Sequence, residues 1–239
     1  VVAFAIDDPQ TLEQRVDRCI PSRLTDIASM LRELRREAIT DVVFSGKLWK
    51  RPIFDASTEA DDVGRQILTR AGGVSDGALS RAVLDTLNRL GIRVLDQRTF
   101  LTPFLFPPGT HTARALSPSE WEDVKTGVTL AQGCASLGIG QTVVVRAGTA
   151  VAVEAHEGTD ETIRRGCLLA GKGAVVVKTV GPGHDYRFDV PAVGLTTLET
   201  MAEGGAAVLA VEAQKSLWLD REACIRLADG AGIGIVSID

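Results

Sequence analysis

Apolar residues recur along this chain in two rhythms, short unbroken runs and longer stretches spaced by three and four. The run Val1-Val2-Ala3-Phe4-Ala5-Ile6 reads as a strand. Leu24, Ile27, Leu31 and Leu34 then follow at helical spacing, with Thr25 as a cap. Asp41-Val42-Val43-Phe44 reads as a buried strand ending at Ser45-Gly46. A helix is predicted over 59–70. A second helix starts from Ser75 or Asp76 and carries Leu79, Val83, Leu87 and Leu90 on one face, with Gly91 closing it. Residues 92–95 read as the next strand. Repeated strand–helix units of this length predict a parallel sheet with right-handed crossovers, in a Rossmann-like layering.

Between 96 and 118 the rhythm stops. Pro103, Pro107, Pro108 and Pro118 exclude a long regular element there. The chain therefore divides into a domain at 1–96, a linker at 97–118 and a second domain at 119–239. A helix over 119–136 opens the second part. Residues 143–153 read as a hairpin turning at Ala147-Gly148. Thr159 or Asp160 caps a helix to 170, and 174–178 is a strand. A Gly/Pro loop over 180–186 leads to Asp189, and a helix starts near Thr196. The strand at 206–211 ends at Glu212. Asp220 caps a helix to 231, and 233–238 is the last strand. The fold class is α/β, a Rossmann-like N-terminal domain and a second α/β C-terminal domain joined by a Pro-rich linker.

Composition agrees with that reading. The 239 residues are 45% hydrophobic, enough for one large domain or two small ones with real cores. With 24 glycines and only 5% aromatics, the chain suits α/β layering better than a sandwich or a disordered chain. A net charge of -5 argues against sequence-independent nucleic-acid binding, which needs a basic face. The cysteines, Cys19, Cys134, Cys167 and Cys224, are scattered and form no C-x-x-C pair. They read as reduced packing residues of a cytoplasmic protein rather than a zinc or redox site. No run reaches the ~18–20 apolar residues of a membrane span, and no signal peptide is visible. The chain starts without a methionine and directly as a strand, so it reads as lacking an earlier strand and loop.

The candidate chemistry centres on Arg187-Phe188-Asp189-Val190-Pro191-Ala192-Val193-Gly194-Leu195-Thr196-Thr197. Asp189 reads as ending a buried segment, its carboxylate held at one spot. Gly194 lets backbone approach a ligand, and Thr196 and Thr197 open a helix whose free N–H groups favour phosphate. Asp76, Glu157, Asp160 and Glu212 also fall at strand ends or helix starts, where ligands collect in open α/β sheets. An oxygen-only set of this kind favours Mg²⁺, or Mn²⁺, over zinc. Capping accounts equally for Asp76 and Asp160, and pairing with Lys215 for Glu212. Gly46 and the basic stretch ending at Arg51 read either as a diphosphate clamp or as a solvated loop. His184 lies in the Gly181-Pro182-Gly183-His184-Asp185 loop; His111 and His156 carry less signal. Phe100, Phe104 and Phe106 read as linker packing, or as part of a groove for acyl chains.

Taken together these residues identify a resemblance. Gly140-Gln141, Val153-Glu154-Ala155, Glu157-Gly158-Thr159-Asp160, Arg164-Arg165, Lys178, and the stretch from Arg187 to Thr197 resemble the LpxI-type UDP-2,3-diacylglucosamine pyrophosphatases of bacterial lipid A synthesis. Gly46 through Arg51-Pro52-Ile53-Phe54 and Asp76 through Ala78-Leu79 are weaker anchors. The resemblance implies Mg²⁺-dependent attack of water on the nucleotide-side phosphorus of UDP-2,3-diacylglucosamine. UMP and 2,3-diacylglucosamine 1-phosphate (lipid X) leave. It implies Asp189 as the essential aspartate, read here as metal ligand or water-positioning group, with Glu157, Asp160 and Glu212 as candidate auxiliary ligands. Gln141, Arg187, Thr196, Thr197, Gly46 and Arg51 are the implied substrate contacts. The protein would act in the cytoplasm, peripherally at the inner face of the inner membrane, with no nucleic-acid partner and with homo-oligomerisation left open. Three departures stand out. The family opens with a strand and a glycine-rich loop, and this chain reads as lacking both. Asp76-Gly77 stands where the family usually has two acids, and Gly181-Pro182 where it usually has Lys-Pro. A non-catalytic nucleotide-sugar or lipid-binding homologue is the competing reading. A dinucleotide oxidoreductase lacks support, because no G-x-G-x-x-G follows a predicted strand.

Overall fold

A computed structural model describes residues 1–6, 8–46, 60–72 and 76–239, with only the backbone at 76 and 77. Arg51 and Ser75 lie outside the described residues, as does the side chain of Asp76. Contacts divide the chain into two units, Val1–Asp96 and Gln97–Asp239.

In the first unit, β1 (Val2–Ala5), α1 (Pro9–Glu13) and β2 (Arg18–Pro21) precede α2 (Ile27–Arg36) and β3 (Asp41–Val42). They are followed by α3 (Asp62–Ala71), α4 (Asp76–Arg89) and β4 (Arg93–Val94). The strands pair in parallel, β1 with β2 and β3 with β4, in two separate two-stranded sheets. Leu34, Leu87 and Ile92 form the core, with Phe4, Leu31, Val42 and Val83 against it. The predicted helix periodicity is thus the buried face. The start of α2 is held otherwise than predicted. Thr25 does not cap it. Asp61 Oδ2 accepts from Ala28 N at 2.6 Å, while its Oδ1 caps α3 through Gly64 N at 2.7 Å. One carboxylate thereby satisfies two helix starts.

The second unit opens with α5 (Arg98–Leu101), a 3₁₀ turn (Thr102–Phe104) and β5 (Gly109–Thr110). Then come α6 (Pro118–Ser136), β6 (Thr142–Arg146), β7 (Thr149–Val153), α7 (Thr159–Ala170) and β8 (Val175–Lys178). The chain closes with β9 (Ala192–Val193), α8 (Leu195–Gly204), β10 (Val208–Glu212), β11 (Leu217–Trp218), α9 (Arg221–Ala231) and β12 (Gly234–Ile238). Six strands form one sheet in the order β5-β12-β10-β8-β6-β7. Its centre, β8, β10 and β12, is parallel; β6 runs antiparallel to β8 and to β7. Val175–Val177, Val208–Val211 and Gly234–Val236 are buried, as strands covered on both faces require. One face packs on α6 through Val124 and Ala131. The other packs on α7, α8 and α9 through Ile163, Leu198, Met201, Cys224 and Ala228.

Local sequence explains most element ends. Ser117 and Glu120 form a capping box with Pro118 at the first turn of α6. The β6–β7 turn has positive φ at both Ala147 and Gly148, the geometry of a tight hairpin turn. The buried Asp123 of α6 grips it, accepting from Ala147 N at 3.0 Å and Gly148 N at 2.6 Å. Of the three phenylalanines near the prolines, Phe106 is fully buried and stacks on Trp218 at 4.2 Å, whereas Phe100 and Phe104 are exposed. Two caps of this unit also differ from expectation. Asp220 adopts a left-handed conformation before α9 and makes no side-chain cap bond. The cap of α7 is Gly158, not Thr159 or Asp160.

Two glycines let helices close on this sheet from opposite faces. A Cβ at Gly127 of α6 would lie 2.4 Å from Val177 Cγ2, and one at Gly166 of α7 2.6 Å from Val144 Cγ2. Gly166→Ala is therefore expected to destabilise the fold by about 1–3 kcal/mol through overpacking, measured by urea unfolding. At the sheet edge, His111 Nε2 lies 2.7 Å from Ser237 Oγ, and burial pushes the imidazole below its ordinary value of 6.5. The unfolded chain then binds more protons than the folded one just below that pH. Stability from this group is complete above its unfolded pKa and lost as pH falls toward the folded one. Unfolding measured at pH 7.5 and 5.5 should show a smaller acid-induced loss in His111→Gln than in the wild type.

Candidate functional site

Strand pleating sorts the polar residues at the carboxyl ends of the parallel strands. Successive side chains point to opposite faces, so Lys178 at the end of β8 shares a face with Val176. That face packs on α7 and α8. Glu212 at the end of β10 shares the opposite face with Val208 and Ala210, which packs on α6. Thr142, at the start of antiparallel β6, pairs with Lys178 in the ladder.

On the α7 side these residues join a line of hydrogen bonds. Lys178 Nζ donates to Thr159 Oγ1 at 2.7 Å, and Thr159 Oγ1 donates to Glu154 Oε1 at 3.0 Å. Gln141 N donates to Glu154 Oε2 at 3.3 Å, and Gln141 Nε2 reaches Asp189 Oδ2 at a long 3.4 Å. The line runs from a buried ammonium, 6% exposed, to an open carboxylate whose side chain is 61% exposed. Asp189 therefore sits at the mouth of the site, not at the end of a buried segment. Residues 181–189 are exposed or half-buried, between buried Thr179 and Val180 on one side and buried Val190 and Pro191 on the other. His184 Nε2 lies 3.0 Å from the Asp189 carbonyl oxygen and holds that segment.

Two helix starts border the line. α7 begins after Gly158 and α8 after Gly194, and neither cap residue has a side chain to bond the first N–H groups. Those groups remain available to an anion. Thr197 Oγ1 donates to Asp160 Oδ1 at 3.0 Å and ties the two starts together. The residues read as caps of α7 have thus been drawn into side-chain contacts, Thr159 with Lys178 and Asp160 with Thr197. Thr196 is exposed in the first turn of α8.

The remaining predicted residues have other work. Glu212 is 1% exposed and accepts from Val180 N at 2.6 Å, Lys215 Nζ at 2.8 Å and Gln132 Nε2 at 3.1 Å. It latches the start of the 179–191 loop to α6, on the sheet face away from Lys178. Glu157 accepts from Ala155 N, Thr162 Oγ1 and Arg165, and those contacts hold its carboxyl below the usual range, its own backbone N–H foremost. Arg187 forks onto Asp185 at 2.7 and 2.8 Å and holds that carboxyl low. Gly46 is an exposed bend of the first unit with φ +93°. Gly181 packs backbone to backbone on the end of α6, where a Cβ would lie 3.0 Å from Ala135 C. Among the described residues no three His, Cys, Asp or Glu side chains are grouped to hold a metal. A four-carboxylate cage does not fit. What fits Mg²⁺ is one open carboxylate, Asp189, since that ion is commonly held by one or two carboxylates and the phosphates of its ligand. Lys178, Glu154 and Thr159 were missed as site residues. The signal was a lysine closing the otherwise apolar run Ala174-Val175-Val176-Val177.

Comparison with known proteins bears on what this arrangement serves. Residues 1–104 match the family described as LpxI N-terminal domain, and residues 107–236 the LpxI C-terminal domain. A protein of Caulobacter vibrioides (strain ATCC 19089 / CIP 103742 / CB 15), named UDP-2,3-diacylglucosamine pyrophosphatase LpxI, is 30% identical over 225 residues. The alignment covers 90% of this chain and 80% of that protein.

The two glutamates should separate by energy. Glu212→Ala strips a buried backbone N–H and Gln132 of their acceptor and is expected to cost about 2–4 kcal/mol. Glu157→Ala, an exposed ion pair, should cost less than about 1 kcal/mol. Urea unfolding of the two variants measures both.

Proposed function

We propose that this chain, which belongs to the LpxI family, hydrolyses the diphosphate of UDP-2,3-diacylglucosamine to UMP and 2,3-diacylglucosamine 1-phosphate. One observation carries the reading: an open carboxylate, Asp189, stands at the end of a hydrogen-bonded line beside two uncapped helix starts. The name of the relative supplies the substrate.

Cleaving a phosphoanhydride needs neutralised oxygens and a water held in line with the leaving group. Asp189 Oδ2 faces Gln141, while Oδ1 has no hydrogen-bond partner among the described residues. That free oxygen accepts a proton of the attacking water and aims its lone pair at phosphorus. Gln141 and His184 fix the carboxylate and the backbone beneath it. The first N–H groups of α7 and α8, with the Thr196 hydroxyl, receive phosphoryl oxygens, while the Thr197 hydroxyl stays on Asp160 and holds the two helix starts together. Magnesium, when bound with the diphosphate at Asp189, supplies further charge neutralisation. Arg187 contributes through Asp185, by shaping the loop. The acyl chains put the reaction at a membrane surface, and we assign the inner face of the inner membrane. No described helix is long and apolar enough to cross a membrane.

With UDP-2,3-diacylglucosamine and Mg²⁺ the protein should release UMP, and EDTA should stop the release. Asp189→Ala should lose at least about 10²–10³-fold in turnover yet still bind substrate. Unimpaired turnover in that variant removes the role of Asp189. Binding of substrate by the wild type without UMP release would leave a binding protein in place of an enzyme.

A further inference from the structure

Lys178 is a buried charge whose partners do not complete it. The residue is 6% exposed, and its Nζ makes one hydrogen bond among the described residues, to Thr159 Oγ1 at 2.7 Å. An ammonium carries three N–H donors, so two are left over. No described carboxylate lies within ion-pair distance of it. Taking an ammonium out of water without a counter-ion is costly, and an anion placed beside it offsets that cost.

The neighbours are fixed in the orientation an anion needs. A hydroxyl has one proton, and Thr159 commits it to Glu154 Oε1 at 3.0 Å. Its lone pairs are thereby turned to Lys178, with Thr142 Oγ1 a further donor at 3.5 Å. Glu154 is itself held by Gln141 N, and Asp160 is occupied by Thr197 Oγ1. Both nearby acids are thus engaged elsewhere. Thr159 is also the first residue of the twelve-residue α7, whose cap Gly158 has φ +87° and bonds none of the leading N–H groups. A buried cation and an uncapped helix start meet at one residue.

We propose that Lys178 is a substrate-binding residue that receives a phosphoryl oxygen of a diphosphate. Thr159 and Glu154 position its ammonium, and the leading N–H groups of α7 complete the cradle. This deepens the pyrophosphatase reading and rests on it for the identity of the diphosphate. The strand places the charge, so the cation does not depend on the loop that carries Asp189.

The test is Lys178→Met, which keeps the aliphatic stem and removes the charge. Two readouts are needed, UMP release from UDP-2,3-diacylglucosamine and thermal stabilisation by inorganic pyrophosphate. The variant should keep or raise its melting temperature without ligand, lose about 10²-fold in kcat/KM, and lose the pyrophosphate shift. Unchanged kcat/KM with an unchanged pyrophosphate shift overturns the proposal while leaving the pyrophosphatase reading intact. A wild type that releases no UMP defeats that reading, and the pyrophosphate shift then decides the role of Lys178 alone. Should Lys178→Met not fold, the ¹⁵Nζ resonance of Lys178 in the wild type is followed instead. Movement on adding pyrophosphate supports the contact, and an unmoved resonance overturns it.

Discussion

A strand can turn a given side chain to only one face of its sheet, and that parity governs everything built at the end of this one. β8 and β10 are neighbours in parallel register, Val175 beside Val208 and Lys178 beside Val211. The strand ends are therefore one residue out of step. Lys178 falls on the α7 and α8 face, and Glu212, a position further along, falls on the α6 face. An ammonium goes to the side where two helices begin with free N–H groups. A carboxylate goes to the side where it can lock a loop to a helix flank. Had the register slipped by one residue, the lysine would lie among the valines facing α6, without Thr159 to receive it.

How much of this was legible in the sequence depends on the range of the interaction responsible. The central strands were legible because each is a run of β-branched residues long enough to be buried on both faces. The hairpin was legible because Ala147-Gly148 lies between two such runs. Its grip by Asp123 was not, since that carboxylate arrives from a helix 24 and 25 positions earlier in the chain. The caps failed for a related reason. Thr159 and Asp160 are good capping residue types, and local reasoning assigned them to their own helix. In the fold they face Lys178 and Thr197, and Gly158 takes the cap position instead. Asp220 takes the cap position but with a left-handed backbone, outside the extended geometry from which a side chain caps, and it makes no cap bond.

The grouping of acids was legible by kind but not by place. Glu157, Asp160 and Glu212 fall near strand or helix ends, as read, whereas Asp189 falls in the loop between β8 and β9. Strand parity alone would have put Glu212 with Val208 and Ala210, yet it could not say which helix covers that face. The basic partners of Glu157 and Glu212 are Arg165 and Lys215, eight and three residues on. Such local pairing consumes carboxylates that composition leaves free. Asp189 escapes because its loop stands clear of the sheet. Its contacts are an amide at 3.4 Å and a histidine ring nitrogen at 3.9 Å.

The loop chemistry and the strand chemistry can be weighed against each other. A lysine in the loop before Asp189 would be mobile, with rotamer entropy to lose on each binding event. At Gly181 it would also have to displace the end of α6, since even a Cβ comes within 3.0–3.1 Å of the Ala135 and Ser136 backbone. Lys178 carries neither burden. Its backbone is fixed by the ladder on both sides, to Thr142 and to Val211. Its ammonium is aimed by a hydroxyl whose own proton is already spent on Glu154. A cation preorganised in this way loses less on binding and acts in a drier setting, where each contact with an anion counts for more. A charge set in the sheet therefore gives the proposed site its positive pole without a lysine at 181.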